Sequence, residues 1–135
     1  GGNSKVQDLK RRCEMVRKIQ PDCVLSIHQN SYPEEAIHGA QVFYYEDSSE
    51  GKKLAEILQK HLVEVLDKEN HRQAKGNRTY YMLKKTEATL VIVECGFLSN
   101  NQEALLLTDE KYQNKVAKAI CSGTLEYLSS LAEKE

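Results

Sequence analysis

Between Thr89 and Asn100 the chain reads TLVIVECGFLSN, an unbroken apolar run that drives straight into a carboxylate, Glu94, and then into Gly96. Four consecutive branched aliphatic residues without polar alternation suit a strand covered on both faces. That burial requires helices above and below a largely parallel sheet. A carboxylate delivered by such a strand is partly desolvated, and its cost asks either for a charged partner or for a chemical use.

The flanking sequence supplies the other elements. Residues 4–19 space Val6, Leu9, Cys13, Val16 and Ile19 at intervals of three and four, an amphipathic helix that Pro21 stops. CVLSI (23–27) follows as a buried strand that hands over the polar cluster His28, Gln29 and Asn30, and SYPEEAIHG forms a turn into a second strand at residues 40–45. Asp47 to Ser49 offer N-caps for a helix with an inner stripe of Leu54, Ile57, Leu58, His61, Leu62, Val65 and Leu66, ending near Asp67. KENHRQAKGNR reads as a loop, Thr79–Leu83 as a short strand and Leu90–Val93 as the buried one. Thr108 then caps a last helix with Tyr112, Val116, Ile120, Gly123, Tyr127 and Leu131 inside. Alternating strands and helices define the expected fold class: a single α/β domain over residues 1–135 with a central, largely parallel twisted sheet flanked by helices.

Charge and composition remove several functions. With 19 basic against 20 acidic residues the formal net charge is −1, and the densest basic stretch, Lys10–Arg12, sits in a helix that also carries acids, so no nucleic-acid partner is expected. No apolar segment approaches the roughly 18 residues of a spanning helix, so no membrane span is expected either, and the N-terminus lacks a signal-peptide profile. Cys13, Cys23, Cys95 and Cys121 form no CxxC pair. Three of them lie in apolar periodic runs, where buried small hydrophobes are the expected reading.

In open α/β sheets, sites form beyond the carboxyl ends of the strands. If the strands before His28 and Glu94 are parallel neighbours, these two side chains converge on one rim. Glu94 would then suit general base work near neutral pH, His28 could ligate a divalent metal, and Gly96 would let the backbone turn past it. Taken singly, each residue has a plainer reading: His28 as a hydrogen-bonded capping residue, Glu94 as the partner of Lys84, Lys85 or Arg78. His61 reads as a half-buried packing residue, His38 and His71 as solvated loop residues with His38 near the rim. Asn30 reads as tying down its own loop, with substrate contact the weaker role.

VLSIHQN followed by VIVECGFLSN resembles the paired signature of the zinc-dependent N-acetylmuramoyl-L-alanine amidases. GAQVFYY and NRTYYMLKKT between them agree in order and spacing, so that the likeness runs from about Lys5 to Leu128. VECGFLSN with KKT upstream is most similar to members used in building the spore cortex. The resemblance implies that His28 is a zinc ligand, Glu94 the catalytic glutamate and peptidoglycan the partner, in a reaction that hydrolyses the amide between the lactyl group of N-acetylmuramic acid and L-alanine. It implies action outside the cytoplasm, in the cell envelope. Family members also carry a histidine in an Asp-x-Gly-His-Gly-Gly turn and a glutamate on the following helix, and neither motif is present. The sequence is therefore expected to match the domain without its first strand, first helix and second strand, with zinc as an implied cofactor at an incomplete site. Such a chain is expected to be inactive alone and to associate through an exposed sheet edge. A non-catalytic wall-binding or regulatory module of the same fold stays open beside the enzyme, whereas a carboxypeptidase-like zinc hydrolase is disfavoured by the absence of an HExxH pair.

Overall fold

The computed structural model, which describes residues 2–30, 38–97 and 99–133 with the side chains at 2–5 and 30 outside that set, arranges the chain in nine elements among the described residues. They are α1 (Gly2–Ile19), β1 (Val24–Asn30), β2 (Gln41–Tyr45), α2 (Ser49–Leu66), β3 (Lys75–Asn77), α3 (Tyr81–Lys85), β4 (Leu90–Phe97), α4 (Asn101–Thr108) and α5 (Glu110–Ala132). The four strands form one sheet of order β1-β4-β2-β3. β4 is buried along its whole length, as its unalternating sequence demands.

The α/β class is as expected, and the sheet is mixed. β1 runs parallel to β4 and β2 parallel to β3, but β2 lies antiparallel to β4. The connection from β1 to β2, residues 31–40, is shorter than the crossover a parallel return requires, so the chain comes back in the opposite direction.

Alternation along β4 splits the core in two. Val91, Val93 and Cys95 join Val42 and the α2 and α5 residues Leu54, Leu58, Leu62, Ile120 and Tyr127 on one face. Leu90 and Ile92 join Cys13 of α1 and Met82 and Leu83 of α3 on the other. The α2/α5 layer is the stronger one, because Leu54, Leu58 and Leu62 are fully buried and truncating any of them to Ala is worth about 2–5 kcal/mol. Val65, assigned to the inner stripe by spacing, is exposed instead.

The α1 layer is only partly covered. Cys13 is buried, but Met15 is 59% exposed, Ile19 67% and Ile27 of β1 55%. These residues line an open groove of about 550 Å³ along the outer side of β1, the edge strand of the sheet.

Three local expectations change. The strand expected at Thr79–Leu83 is helix α3, and the strand is β3 inside the segment read as a loop. Asn77 explains the switch: its Oδ1 accepts from the backbone N–H of Thr79 and Tyr80, both at 2.8 Å, an Asx-type turn that bends the chain off the sheet. An unanticipated helix, α4, follows β4, capped by the Asn100 side chain accepting from Glu103 N–H at 3.1 Å. Thr108 therefore ends α4, and Asp109 caps α5. Ser48, within the expected capping stretch, does cap α2, accepting from Gly51 N–H at 2.9 Å.

Candidate active site at the rim of the central strands

β1 continues through His28 to Asn30, so His28 is held on a strand rather than beyond one. The register pairs His28 with Glu94 across β1/β4, and Gln41 with Glu94 across β2/β4. Paired positions project to the same side of a sheet, so His28, Glu94 and Gln41 form a row across three strands, on the α1/α3 face. A register irregularity between His28 and Asn30 ends the regular β1/β4 ladder just past this row.

Glu94 is 7% exposed, and its Oε2 has no hydrogen-bond partner among the described residues. Burial pushes its carboxyl pKa up, and the neighbouring charge of His28 partly offsets that rise. The structural ion pair considered for Glu94 does not form. Arg78 instead binds Glu46 at 2.9 Å and Asp47 at 2.7 Å, and Lys84 and Lys85 are exposed. His28 is exposed, with Nε2 2.7 Å from Ser26 Oγ, two residues back on the same face of β1.

These side chains share a cavity of about 220 Å³ lined also by Leu9, Arg12 and Tyr80. The Tyr80 ring packs edge-on against Phe43, with centroids 5.5 Å apart. Its phenol pKa is raised by burial and then by the Glu94 charge. The pocket thus juxtaposes a desolvated carboxylate, an imidazole and a phenol.

A further carboxylate, Glu103 of α4, fixes the end of β4. Its Oε1 accepts from Phe97 N–H at 3.0 Å, and its two oxygens accept from Gly39 N–H at 2.9 and 3.0 Å. Gly39 enters β2 at φ +101°, where a Cβ would come within 2.9 Å of Asn70 Oδ1, so only glycine fits comfortably. Gly96 does not provide a turn: it lies within β4, and its missing side chain leaves room for Leu107 and the Glu103 carboxylate, both within 3.4 Å of a Cβ placed there. Sequence reasoning missed Glu103, although Asn100-x-x-Glu103 is a capping-box spacing. It also missed Gln41, Tyr80 and Ser26 as site residues, although all three lie within the segments that carry the family resemblance.

Among the described residues, no three His, Cys, Asp or Glu side chains gather closely enough to hold a metal ion. His61 is half-buried and lies 3.3 Å from Glu126, and the His38 and His71 side chains are exposed, all as expected. The Asn30 side chain and Leu98 lie outside the described residues. Phe97 is buried at the end of β4. Cys13 and Cys95 are buried, Cys23 is half-buried and Cys121 is exposed, and all four are free thiols. No helix among the described residues is long and apolar enough to cross a membrane.

Residues 2–126 match the family model described as N-acetylmuramoyl-L-alanine amidase. The germination-specific N-acetylmuramoyl-L-alanine amidase of Bacillus subtilis is 36% identical over 125 residues, which cover 93% of this chain and 52% of that protein. The solved CwlD amidase of Clostridioides difficile, in complex with the GerS lipoprotein, superposes with a TM-score of 0.91 at 40% identity, over 95% of this chain and 65% of that one. The amidase AmiC2 of Nostoc punctiforme superposes with a TM-score of 0.80 at 29% identity, over 89% of this chain and 65% of its own. The chain thus spans about half the length of the Bacillus relative and under two thirds of these solved chains.

Proposed function

The chain belongs to the N-acetylmuramoyl-L-alanine amidase family, and from that premise we propose that it is part of a peptidoglycan amidase catalytic domain acting in the cell envelope, outside the cytoplasm. Its substrate is the amide that joins the lactyl group of N-acetylmuramic acid to L-alanine. The observation that carries this reading is Glu94: a buried carboxylate with an oxygen unpartnered among the described residues, in register with His28 and lining a shared cavity.

Glu94 is the general base. As water attacks the scissile carbonyl, Glu94 takes its proton. A C–O bond forms, and when the C–N bond breaks the same proton passes to the leaving amine of L-alanine, returning Glu94 to its carboxylate. Burial serves this role by raising the carboxyl pKa, which makes Glu94 a stronger base than an ordinary carboxylate. Asn30 is at most a minor substrate contact.

Zinc is the cofactor the family resemblance implies, with His28 as one ligand. A catalytic zinc site takes three protein ligands and an open position, and the described residues do not supply that set. The domain reading follows: the chain corresponds to an amidase domain without its first strand and helix, and those elements bring the remaining ligands. The open β1 edge and its uncovered apolar groove support this reading and make association through that edge favourable. The incomplete ligand set also favours a second reading, a non-catalytic wall-binding module of the same fold.

Zinc titration by calorimetry, with muropeptide hydrolysis as readout, tests both readings on this chain and on a version extended to the length of its relatives. We expect His28-dependent zinc binding and hydrolysis in the extended protein, with hydrolysis abolished in Glu94→Gln while zinc and fold are retained. Hydrolysis by Glu94→Gln would refute the base. Peptidoglycan binding by the extended protein that is indifferent to both substitutions, without hydrolysis, would establish the module.

A further inference from the structure

Arg72 stands beside the catalytic row without a role in the chemistry above. It is half-buried in the segment leading to β3, and three neighbours fix its guanidinium. Nε donates to the His38 carbonyl at 2.7 Å, Nη1 donates to Gln41 Oε1 at 3.0 Å, and the charged carbon lies 5.2 Å from the centroid of the Phe97 ring. Gln41 is itself anchored, donating through Nε2 to the Gln73 carbonyl at 2.9 Å.

None of these partners is an acid. Among the described residues no ion pair engages Arg72. Two of the five guanidinium N–H groups are used, leaving three donors among the described residues, Nη2 included. Arg78 makes the contrast: it is matched by two carboxylates. Arg72 is a positive charge held in one orientation by neutral groups, and at half-burial it is partly open to solvent.

Its position relative to Glu94 sets what it can read. Gln41 is directly opposite Glu94, and strands lie about 4.8 Å apart. With the Gln41 side chain and a hydrogen bond beyond it, the guanidinium is on the order of 8–12 Å from Glu94, the reach of about two to three extended residues. We infer that Arg72 recognises a carboxylate on the peptide side of the substrate, about two residues beyond the scissile amide, and so makes the site selective for an acidic stem over its amidated counterpart. This rests on the amidase reading of the Glu94 site. Arginine suits the task because its planar fork offers two parallel N–H groups to one carboxylate.

The test uses two matched muramoyl peptides that differ only in a free carboxylate or a primary carboxamide on the second stem residue. Each is titrated into the wild type, Arg72→Gln and Arg72→Lys, by calorimetry and by NMR of the Arg72 Nε–H resonance. The wild type is expected to prefer the acid by about tenfold or more, with the arginine resonance shifting for the acid alone. The preference disappears in Arg72→Gln and shrinks in Arg72→Lys, which keeps the charge and loses the fork, and thermal melts confirm that both variants are folded. Equal affinity of the wild type for the two peptides, or full preference retained in Arg72→Gln, overturns the inference and leaves the amidase reading standing. A wild type that binds neither peptide likewise overturns the inference, while the amidase reading is judged by hydrolysis in the extended protein.

Discussion

Replacing Glu94 by Leu should make this chain more stable while ending any hydrolysis it supports. Glu94 is 7% exposed, and Oε2 is buried without a hydrogen bond among the described residues. A buried polar group left unsatisfied costs about 1–3 kcal/mol, more when charged. Leu has nearly the same length and would sit on the face already formed by Ile92 and Leu90, so the substitution removes the penalty without opening a cavity. Among the described residues the favourable term lost is the attraction to His28, an exposed residue whose charge is screened by water. The net gain is therefore about 1–3 kcal/mol, or roughly 4–12 °C in Tm for a domain of this size.

The pH dependence identifies the cause. Because the folded pKa of Glu94 is raised above the ordinary 4.5, its penalty is absent below that value, grows as pH rises from there through the folded pKa, and is constant above it. Urea unfolding of the metal-free wild type and Glu94→Leu, followed by circular dichroism at pH 4 and pH 7, should show a small difference in the acid and the full difference at neutrality. A Leu variant less stable than wild type at pH 7, or a gain that does not change with pH, would refute the argument that Glu94 is an uncompensated buried charge.

Two further outcomes follow from the packing. Glu103→Ala should destabilise the chain by about 2–3 kcal/mol, because it strips charge-assisted bonds from the Gly39 and Phe97 N–H groups, and a loss below about 0.5 kcal/mol by urea unfolding would show that the clamp is not formed. In the native chain Cys121 should react first with a disulfide reagent, whereas Cys13 is buried and burial pushes the Cys95 thiol up to about 11, so these two should react only on unfolding; prompt reaction of Cys95 at pH 8 would contradict its place in the core.

The legibility of this molecule follows the range of the interactions involved. β4, the inner faces of α2 and α5, and the convergence of His28 with Glu94 are written in local periodicity and in the residues that end two apolar strands. α3 was misread because a single hydrogen-bonding side chain, Asn77, outweighed the β-propensity of TYYML. The antiparallel turn of β2 was missed because sheet order depends on connection length as well as on strand pattern. Gln41, Arg72 and Glu103 were invisible for a different reason. Gln41 and Arg72 stand 31 positions apart and Glu103 stands 64 from Gly39, and no local pattern announces those pairings.

That distinction bears on how the site is built. The groups assigned to bond breaking sit on buried strands, where the sheet fixes them and desolvation tunes them. The groups assigned to support and recognition come from α4 and from the segment before β3, and they reach the rim by side-chain bonds to backbone and amide groups. Glu94 is held by a strand buried along its whole length, whereas Arg72 hangs on two hydrogen bonds and a ring face. Selectivity for the substrate's peptide can therefore drift among relatives while Glu94 stays fixed. Among the described residues, the unpartnered oxygen of Glu94, the uncovered face of α1 and the open edge of β1 all lie on one side of β4. A segment added along β1 would cover the apolar groove and stand next to His28, so that on the amidase reading one added segment would both complete the core and be placed to supply the proposed zinc ligands.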